Sequence, residues 1–412
     1  MIVELSNTIQ PYAWGSKQAL AELRGDTGPS AAPEAELWMG AHPLAPSRLA
    51  TTGQSLLEAI AAQPEPYLGS AVSQQYGGKL PFLLKILAAA EPLSLQAHPS
   101  LEQAARGFEA DEAAGIALDA PHRNYKDRNH KPELLCALGE FWALCGFRNA
   151  ADTLALFDEL AVPALAFHLN QLRESPDAGG IKQVFSSLMQ APPAERQALA
   201  NATAEACRAR LNRASRFARE YAWGARLGEL YPGDVGLVSA LLLNLLRLEA
   251  GEAIYLPAGN LHAYLSGAAV EVMANSDNVL RGGLTPKHVD VPELLRVLDF
   301  QAGPPPVLTA QPDGPWLRYD TPAEEFLLRR HESERPGSPL PVPEGGPRIL
   351  LCTAGAACVR GSDGAVDLPR GAAVWLADPD TGVTAVPSAP HTQLFLASDG
   401  LAASGPAAAP TG

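Results

Sequence analysis

Three short stretches of this 412-residue sequence carry residue types that hold cations. In GEAIYLPAGNLHAY, Gly251, Pro257, Gly259 and His262 follow the spacing G-x5-P-x-G-x2-H. That pattern predicts a strand, a tight turn at Pro257 and Gly259, and a return strand carrying His262 inward. Tyr264 lies two residues on and shares the face of His262, while Leu261, Ala263 and Leu265 face the other way. A histidine met alone is most often a hydrogen-bonded core residue; the turn signature points past that to a ligand. In SLQAH, Ser94, Gln96 and His98 alternate with Leu95 and Ala97, which puts three polar groups on one strand face. A solvent-facing edge has this pattern, and so has a strand lining a metal or sugar pocket. In YKDRNHKPELLCAL, Glu133, Leu135 and Ala137 share a face, and Pro132 keeps Lys131 extended. Lys131 therefore points with Glu133, and His130 points away. A glutamate opening an apolar strand is costly if buried alone. A metal ion offsets that cost; an ion pair with Lys131 or Lys126 does too.

The His262 segment is identified as the second motif of the cupin superfamily. In cupins the first motif places two histidines as H-x-H on one strand. Here Gln96-x-His98 takes that place, and period-two spacing brings both side chains to one ion. With Glu133 and His262 this makes a set of nitrogen and oxygen ligands without sulfur, which suits zinc at roughly 2.0–2.2 Å. The same set is close to the two-histidine, one-carboxylate triad of iron oxygenases. The ligands alone leave the chemistry open.

Strands must position these residues. The chain up to about Phe147 alternates short apolar runs with turns. From Asn149 the period changes. Asn149 and Asp152 predict a helix start, with Leu154, Phe157 and Leu160 at helical spacing. Ala194 to Ala222 is helical in composition. After YPGD a further helix is expected over Val235 to Leu243, then strands again. GPPPV at 303 to 307 reads as a linker, followed by a second all-β stretch. The fold class expected is mainly β with a helical insert: cupin-type (jelly-roll) β-barrels plus an α-helical domain. Residues 1–148 with 233–302 form the catalytic unit, 149–232 the insert, 303–400 a C-terminal cupin-like β unit, and 401–412 a disordered tail.

Composition narrows the classes. With 47% hydrophobic and 18% charged residues the chain reads as soluble and globular. Its formal charge of −14 argues against nucleic-acid binding, which needs a basic face. Its most apolar stretch, Val235 to Leu248, is too short to span a bilayer and is interrupted by Asn244 and Arg247. Five widely spaced cysteines without a CxxC argue against a disulfide framework, and Met1-Ile2-Val3-Glu4 lacks a secretory start. A cytoplasmic monomer without nucleic-acid or membrane partners is expected. Arginines 208, 210, 213, 216 and 219 read as a solvated helix face.

In combination the segments resemble the type I phosphomannose isomerase (mannose-6-phosphate isomerase) family. The resemblance is carried by QPYAWGS at 10–16, ELWMGAHPLAPS at 36–47 and LPFLLKILAAAEPLSLQAHP at 80–99. It continues in RNHKPEL at 128–134 and from GEAIYLPAGNLHAYLSG through ANSDNVLRGGLTPKHVD, 251–290. It implies one zinc on Gln96, His98, Glu133 and His262. It implies mannose metabolism: interconversion of mannose 6-phosphate and fructose 6-phosphate by proton transfer through an enediol. Lys131, beside a ligand, is the first acid/base candidate and Glu271 the second, because a cation close to an ammonium favours its neutral form. Arg281 and Lys287, in LRGGLTPKH, are expected at the phosphate or enediolate, with Thr285-Pro286 opening a helix whose N–H groups join the anion site. Lys85 and Ser94 are secondary phosphate candidates, and Trp14 and Tyr264 shape the sugar pocket. An iron-dependent cupin oxygenase and a non-catalytic sugar-binding cupin are the rival readings. The cations Lys131, Arg281 and Lys287 favour a phosphosugar over dioxygen.

Overall fold

The computed structural model describes residues 2–362 and 364–401. It is mainly β with a helical insert. Its centre is Phe82–Ala89, FLLKILAA, buried at every position and hydrogen-bonded between Glu36–Gly40 and His262–Ala274. A strand covered on both faces is written as a nearly continuous apolar run. Lys85 interrupts this one, and the interruption marks the site.

The 13-residue strand His262–Ala274 serves two neighbourhoods. Its second half pairs with Phe82–Ala89 and Glu133–Ala137, and its first half with Phe141–Phe147 and, through His262, with Gln96. The register to Phe141–Phe147 slips between Tyr264 and Ser266. Next comes Gly267, at φ +121°, where a Cβ would meet the Glu140 carbonyl oxygen at 2.7 Å. A bulge bends and twists a strand, so one strand curls around the pocket.

The outward faces of this curl are covered on two sides. Leu84, Ile86, Val270 and Val272 pack with Ile349, Leu351, Trp375 and Phe395 of the C-terminal β unit. Leu95, Ala97, Leu261, Ala263 and Leu280 pack with Phe157, Leu172, Phe185 and Leu237 of the helical segment. The inward face is left for the side chains that do chemistry.

The helical segment begins as expected: the Asn149 side chain accepts from the Asp152 N–H at 2.8 Å, capping Ala150–Leu160. The arginine stripe is divided differently. Pro193–Arg210 ends at Arg210, and Ala218–Leu230 begins eight residues later. Arg210 reaches Glu159, and Arg216, in the connection between the two helices, pairs with Asp152 at 2.8 Å, so these charges tie the helix end and the connection to Ala150–Leu160. Gly236–Leu241 is shorter than the expected helix, because Leu243–Leu248 is already a strand.

Beyond the 303–307 linker an eight-stranded sheet faces a four-stranded one. Their core holds Leu350, Cys352, Val374, Leu376, Leu394 and Leu396. The first strand of the chain, Ile2–Ser6, lies in this eight-stranded sheet, antiparallel to Ala373–Leu376, although its sequence neighbours belong to the catalytic sheet. We keep 149–232 and 303–400 as proposed units, with Ile2–Ser6 and Arg48–Leu49 in the C-terminal sheet and Val307–Leu308 in the catalytic sheet as exceptions to the division. The expected disordered tail falls, from 402 on, outside the described residues. All five cysteines are free. Among the described residues no helix is long and apolar enough to cross a membrane.

Candidate active site

The predicted turn brings the first ligands together. Gly259 has φ +79°, and a Cβ there would sit 3.0 Å from the Val297 carbonyl oxygen. Its N–H donates to the His98 carbonyl at 2.9 Å, tying the turn to the SLQAH strand. His262 then opens its strand opposite Gln96, and Glu133 opens another opposite Met273. His98, Glu133 and His262 are buried, with ligand atoms all within 4.8 Å of one another. Glu133 Oε1 is 3.4 Å from His98 Nε2, and Oε2 is 3.5 Å from His262 Nε2.

The far nitrogens decide what those near atoms can do. His98 Nδ1 donates to the Asn278 carbonyl at 2.7 Å, and His262 Nδ1 to the Asn260 carbonyl at 3.0 Å. A carbonyl only accepts, so both Nδ1 atoms carry the proton and both Nε2 lone pairs aim at Glu133. Burial pushes His98 down to about 4, so its ring is neutral. Burial alone would raise Glu133, but the Lys131 charge beside it outweighs this and its carboxyl stays well below the usual range. His98 Nε2 has no hydrogen-bond partner. Two lone pairs and a carboxylate converge with no proton between them, which is what a divalent cation satisfies. The Gln96 amide reaches the same place, its nitrogen 3.3 Å from His262 Nε2; a half-turn of the amide presents its oxygen there.

A row of alternating charges adjoins this cluster. Lys131 Nζ is 3.0 Å from Glu133 Oε1. Tyr264 donates its hydroxyl to Glu271 Oε1 at 2.9 Å and lies 3.4 Å from Glu133 Oε2. Lys85, directly across the strand pair from Glu271, is 3.3 Å from Glu271 Oε2 and 3.7 Å from Glu36 Oε1. Burial would lower Lys85, but Glu36, Glu271 and Glu133 outweigh it and keep the ammonium protonated. Glu271 is raised, chiefly by burial. Burial and the Glu271 and Glu133 carboxylates raise the Tyr264 phenol well above its ordinary value, so it remains a donor. The row ends at Trp38, whose ring lies 5.2 Å from Lys85 Nζ and whose Nε1 donates to Glu36 at 2.6 Å.

Residues 2–150 match the family described as "Phosphomannose isomerase type I, catalytic domain". Mannose-6-phosphate isomerase of Escherichia coli (strain K12) is 40% identical over 389 residues, covering 92% of this chain and 96% of the relative. The Homo sapiens mannose-6-phosphate isomerase is 35% identical over 369 residues, covering 82% and 83%. The chain belongs to the type I phosphomannose isomerase family. Among solved structures, a zinc-bound mannose 6-phosphate isomerase superposes with a TM-score of 0.86 at 38% identity, covering 97% of this chain and 99% of that one. A mutant phosphomannose isomerase from Salmonella typhimurium gives 0.88 at 37% identity, covering 97% and 100%. As a phosphomannose isomerase family member the chain takes zinc, and among its described residues His98, Glu133 and His262 form a group that could hold it.

Of the remaining expected residues, Arg281 adjoins that cluster and Lys287 is exposed. Arg281 stands directly across from Gln96 in the next strand, so it shares the face of the ligands. Burial lowers Arg281, and both burial and Arg281 lower Lys287. Among the described residues neither has an acidic partner within ion-pair distance. Trp14 packs half-buried against the inward cluster and stacks on Tyr12 at 5.8 Å. Ser94 is half-buried, two residues before Gln96.

One expectation is corrected. Thr285-Pro286 does not start a helix. The Thr285 N–H is taken by Asp234 at 3.1 Å, and the helix Val291–Val297 begins later, capped by Asp290. The Thr285 hydroxyl accepts from the Lys287 N–H at 3.1 Å and closes only a local turn, whereas Asp290 accepts from the Glu293 N–H at 3.0 Å and caps the helix. Two other residues were missed. Glu36 opens an apolar strand, the same clue that singled out Glu133. Asp277, which pairs with His42 at 3.3 Å, lies in ANSDN and was read only as part of the resemblance. A cleft of about 1190 Å³ is lined by none of Gln96, His98, Glu133 and His262. It opens beyond the 126–129 and 275–277 segments, which line it.

Proposed function

We propose that the chain interconverts mannose 6-phosphate and fructose 6-phosphate, with the side chains above moving one proton between C1 and C2. The observation that carries this reading is the convergence of His98, Glu133 and His262, their outer nitrogens tied to carbonyls, beside the Lys131 ammonium. When bound, zinc supplies Lewis-acid stabilisation for the sugar oxygen that gains negative charge in the enediol.

In this reading Gln96, His98, Glu133 and His262 hold the ion. Lys131, as the neutral amine, takes the proton and, as the ammonium so formed, returns it. Its nitrogen now faces Glu133 at 3.0 Å and is freed for substrate when that contact opens. Glu271 is the second acid/base candidate: burial favours its protonated form, and Tyr264 and Lys85 fix its two oxygens. Arg281 and Lys287 neutralise the phosphate or the enediolate, with Lys85 and Ser94 in support. Trp14 and Tyr264 bound the sugar. The buried inner face keeps water from competing for the enediol. A cytoplasmic, monomeric enzyme acting on a free phosphosugar completes the reading; free cysteines, four of them buried, suit a reducing compartment.

The oxygenase and the non-catalytic cupin are set aside. The relatives are isomerases, one solved relative holds zinc, and no ligand position is lost here. The test is a coupled assay for fructose 6-phosphate formed from mannose 6-phosphate, run before and after chelation and again after zinc is restored. Loss and recovery of turnover are expected. No fructose 6-phosphate at any stage, or turnover indifferent to chelation, would overturn the reading.

A further inference from the structure

The hydrogen-bonded ladder between Glu133–Ala137 and His262–Ala274 ends near Glu133. Its last rungs are Met273 opposite Glu133 and the Ala274 N–H on the Pro132 carbonyl at 3.1 Å. Past that point two loops, 126–129 and 275–278, run side by side without a ladder. Side chains hold them together instead, and the most connected is the fully buried amide of Asn278. Its Oδ1 accepts from the Lys126 N–H at 2.7 Å and the Asp127 N–H at 3.3 Å. Its Nδ2 donates to the Asp127 carbonyl at 2.9 Å and the Asn129 carbonyl at 2.8 Å, with the Asp127 carboxylate 3.2 Å away. Asp127 answers from the other loop, accepting from Ser276 Oγ at 2.9 Å and the Asp277 N–H at 2.8 Å.

The backbone of the same residue does something else. The Asn278 carbonyl takes the Nδ1 proton of His98 at 2.7 Å. One residue is thus clamped by its side chain and presents its main chain to a ligand. Both loops line the open cleft of about 1190 Å³, so solvent lies on one side of the pair and His98 on the other. A loop with a solvent-facing side and no ladder has few ways to keep a carbonyl fixed, and a histidine ligand is aimed by the bond at its other nitrogen.

We propose that Asn278 is a positioning residue of the metal centre: its side chain locks the two loops so that its carbonyl fixes the tautomer and direction of His98. The inference rests on His98 being a zinc ligand. Asn278 touches no reacting atom.

The experiment strips zinc from the full chain and measures rebinding by competition with a chromogenic chelator. It compares wild type, Asn278→Ala, His98→Ala and the double variant. Asn278→Ala is expected to weaken zinc binding by about 10- to 100-fold. In the His98→Ala background the same change should add no more than about twofold, because the group it acts through is gone. Melting of the zinc-free proteins is recorded alongside. A lower melting temperature with wild-type zinc affinity in the folded protein would reduce Asn278 to a structural part and overturn the proposal. Equal losses in both backgrounds would overturn it too. Undiminished zinc binding by His98→Ala would instead strike the ligand assignment, so the two failures are separable. If Asn278→Ala does not fold, Asn278→Ser, which keeps one oxygen and loses the amide donors, is read by the same criteria.

Discussion

The interior of the catalytic curl and the interior of the C-terminal β unit are both made of antiparallel strands with alternating faces, and they are filled in opposite ways. Between the two C-terminal sheets the inward positions are Leu350, Cys352, Val374, Leu376, Leu394 and Leu396. A fully buried cation of that unit, Arg348, gives its guanidinium to the carbonyls of Pro343, Ala377 and Asp380. Inside the catalytic curl the inward positions include Glu36, Lys85, Glu271, Glu133 and Lys131, each beside an opposite charge. Burying ion pairs gains little stability over packing apolar side chains of equal volume. The C-terminal unit shows such strands packed with apolar side chains. The catalytic curl shows the same architecture giving up apolar packing to keep charges fixed and dry.

Glu133→Ala should separate the two interiors most sharply. It should abolish stoichiometric zinc and lower turnover by about 10³-fold or more, since metal assistance is worth several kcal/mol. Metal analysis of the purified variant that still finds one zinc per chain would take Glu133 out of the ligand set. Lys131→Ala should keep its zinc and lose turnover by about 10²- to 10⁴-fold; near-wild-type turnover would leave Glu271 as the acid/base. The matching change in the other interior is Leu394→Ala. It should cost about 2–5 kcal/mol in chemical denaturation with zinc content and turnover unaltered. Lost zinc in that variant would mean that the two interiors are coupled. Arg281→Ala should raise KM for mannose 6-phosphate by about 10- to 100-fold, the worth of a charged hydrogen bond, and affect free mannose far less. Equal losses on both sugars would move Arg281 to the reacting carbons.

The smallest effect concerns pH. In zinc-free protein His98 is pushed from 6.5 down to about 4 by burial, while the unfolded chain takes up that proton at the ordinary value. Between these values the unfolded state holds more protons, so stability is full above about 6.5 and falls as the pH drops towards 4. Denaturation midpoints that rise on acidification through this window would contradict a neutral, buried His98.

Much of the site could be read in one dimension because its determinants are local. The G-x5-P-x-G-x2-H spacing encodes a turn, and a turn decides where the next strand points. Period-two alternation puts Lys131 with Glu133 and sends His130 the other way, where it meets Glu325 at 2.5 Å. The Asn149 cap was legible for the same reason: donor and acceptor are three residues apart. The failures are also physical. Thr285-Pro286 resembles a helix start until Asp234, 51 residues earlier, claims the Thr285 N–H. Ile2–Ser6 reads as a neighbour of the strands that follow it, yet its ladder partner begins at Ala373. Glu36 carried a usable sign, a carboxylate opening an apolar strand, but its partner Lys85 stands on another strand.

From composition, turn residues and strand alternation came the β class and the helical interruption; the ligand set of a metal centre came from those patterns together with the resemblance to a known family. Those features depend on contacts between near neighbours, whose geometry the backbone period dictates. Only the folded chain decided that Lys85 is held between Glu36 and Glu271, that the His98 and His262 lone pairs both face Glu133, and that Asn278 fastens two loops behind them. Such arrangements depend on which distant strands lie side by side, and no local period encodes that choice.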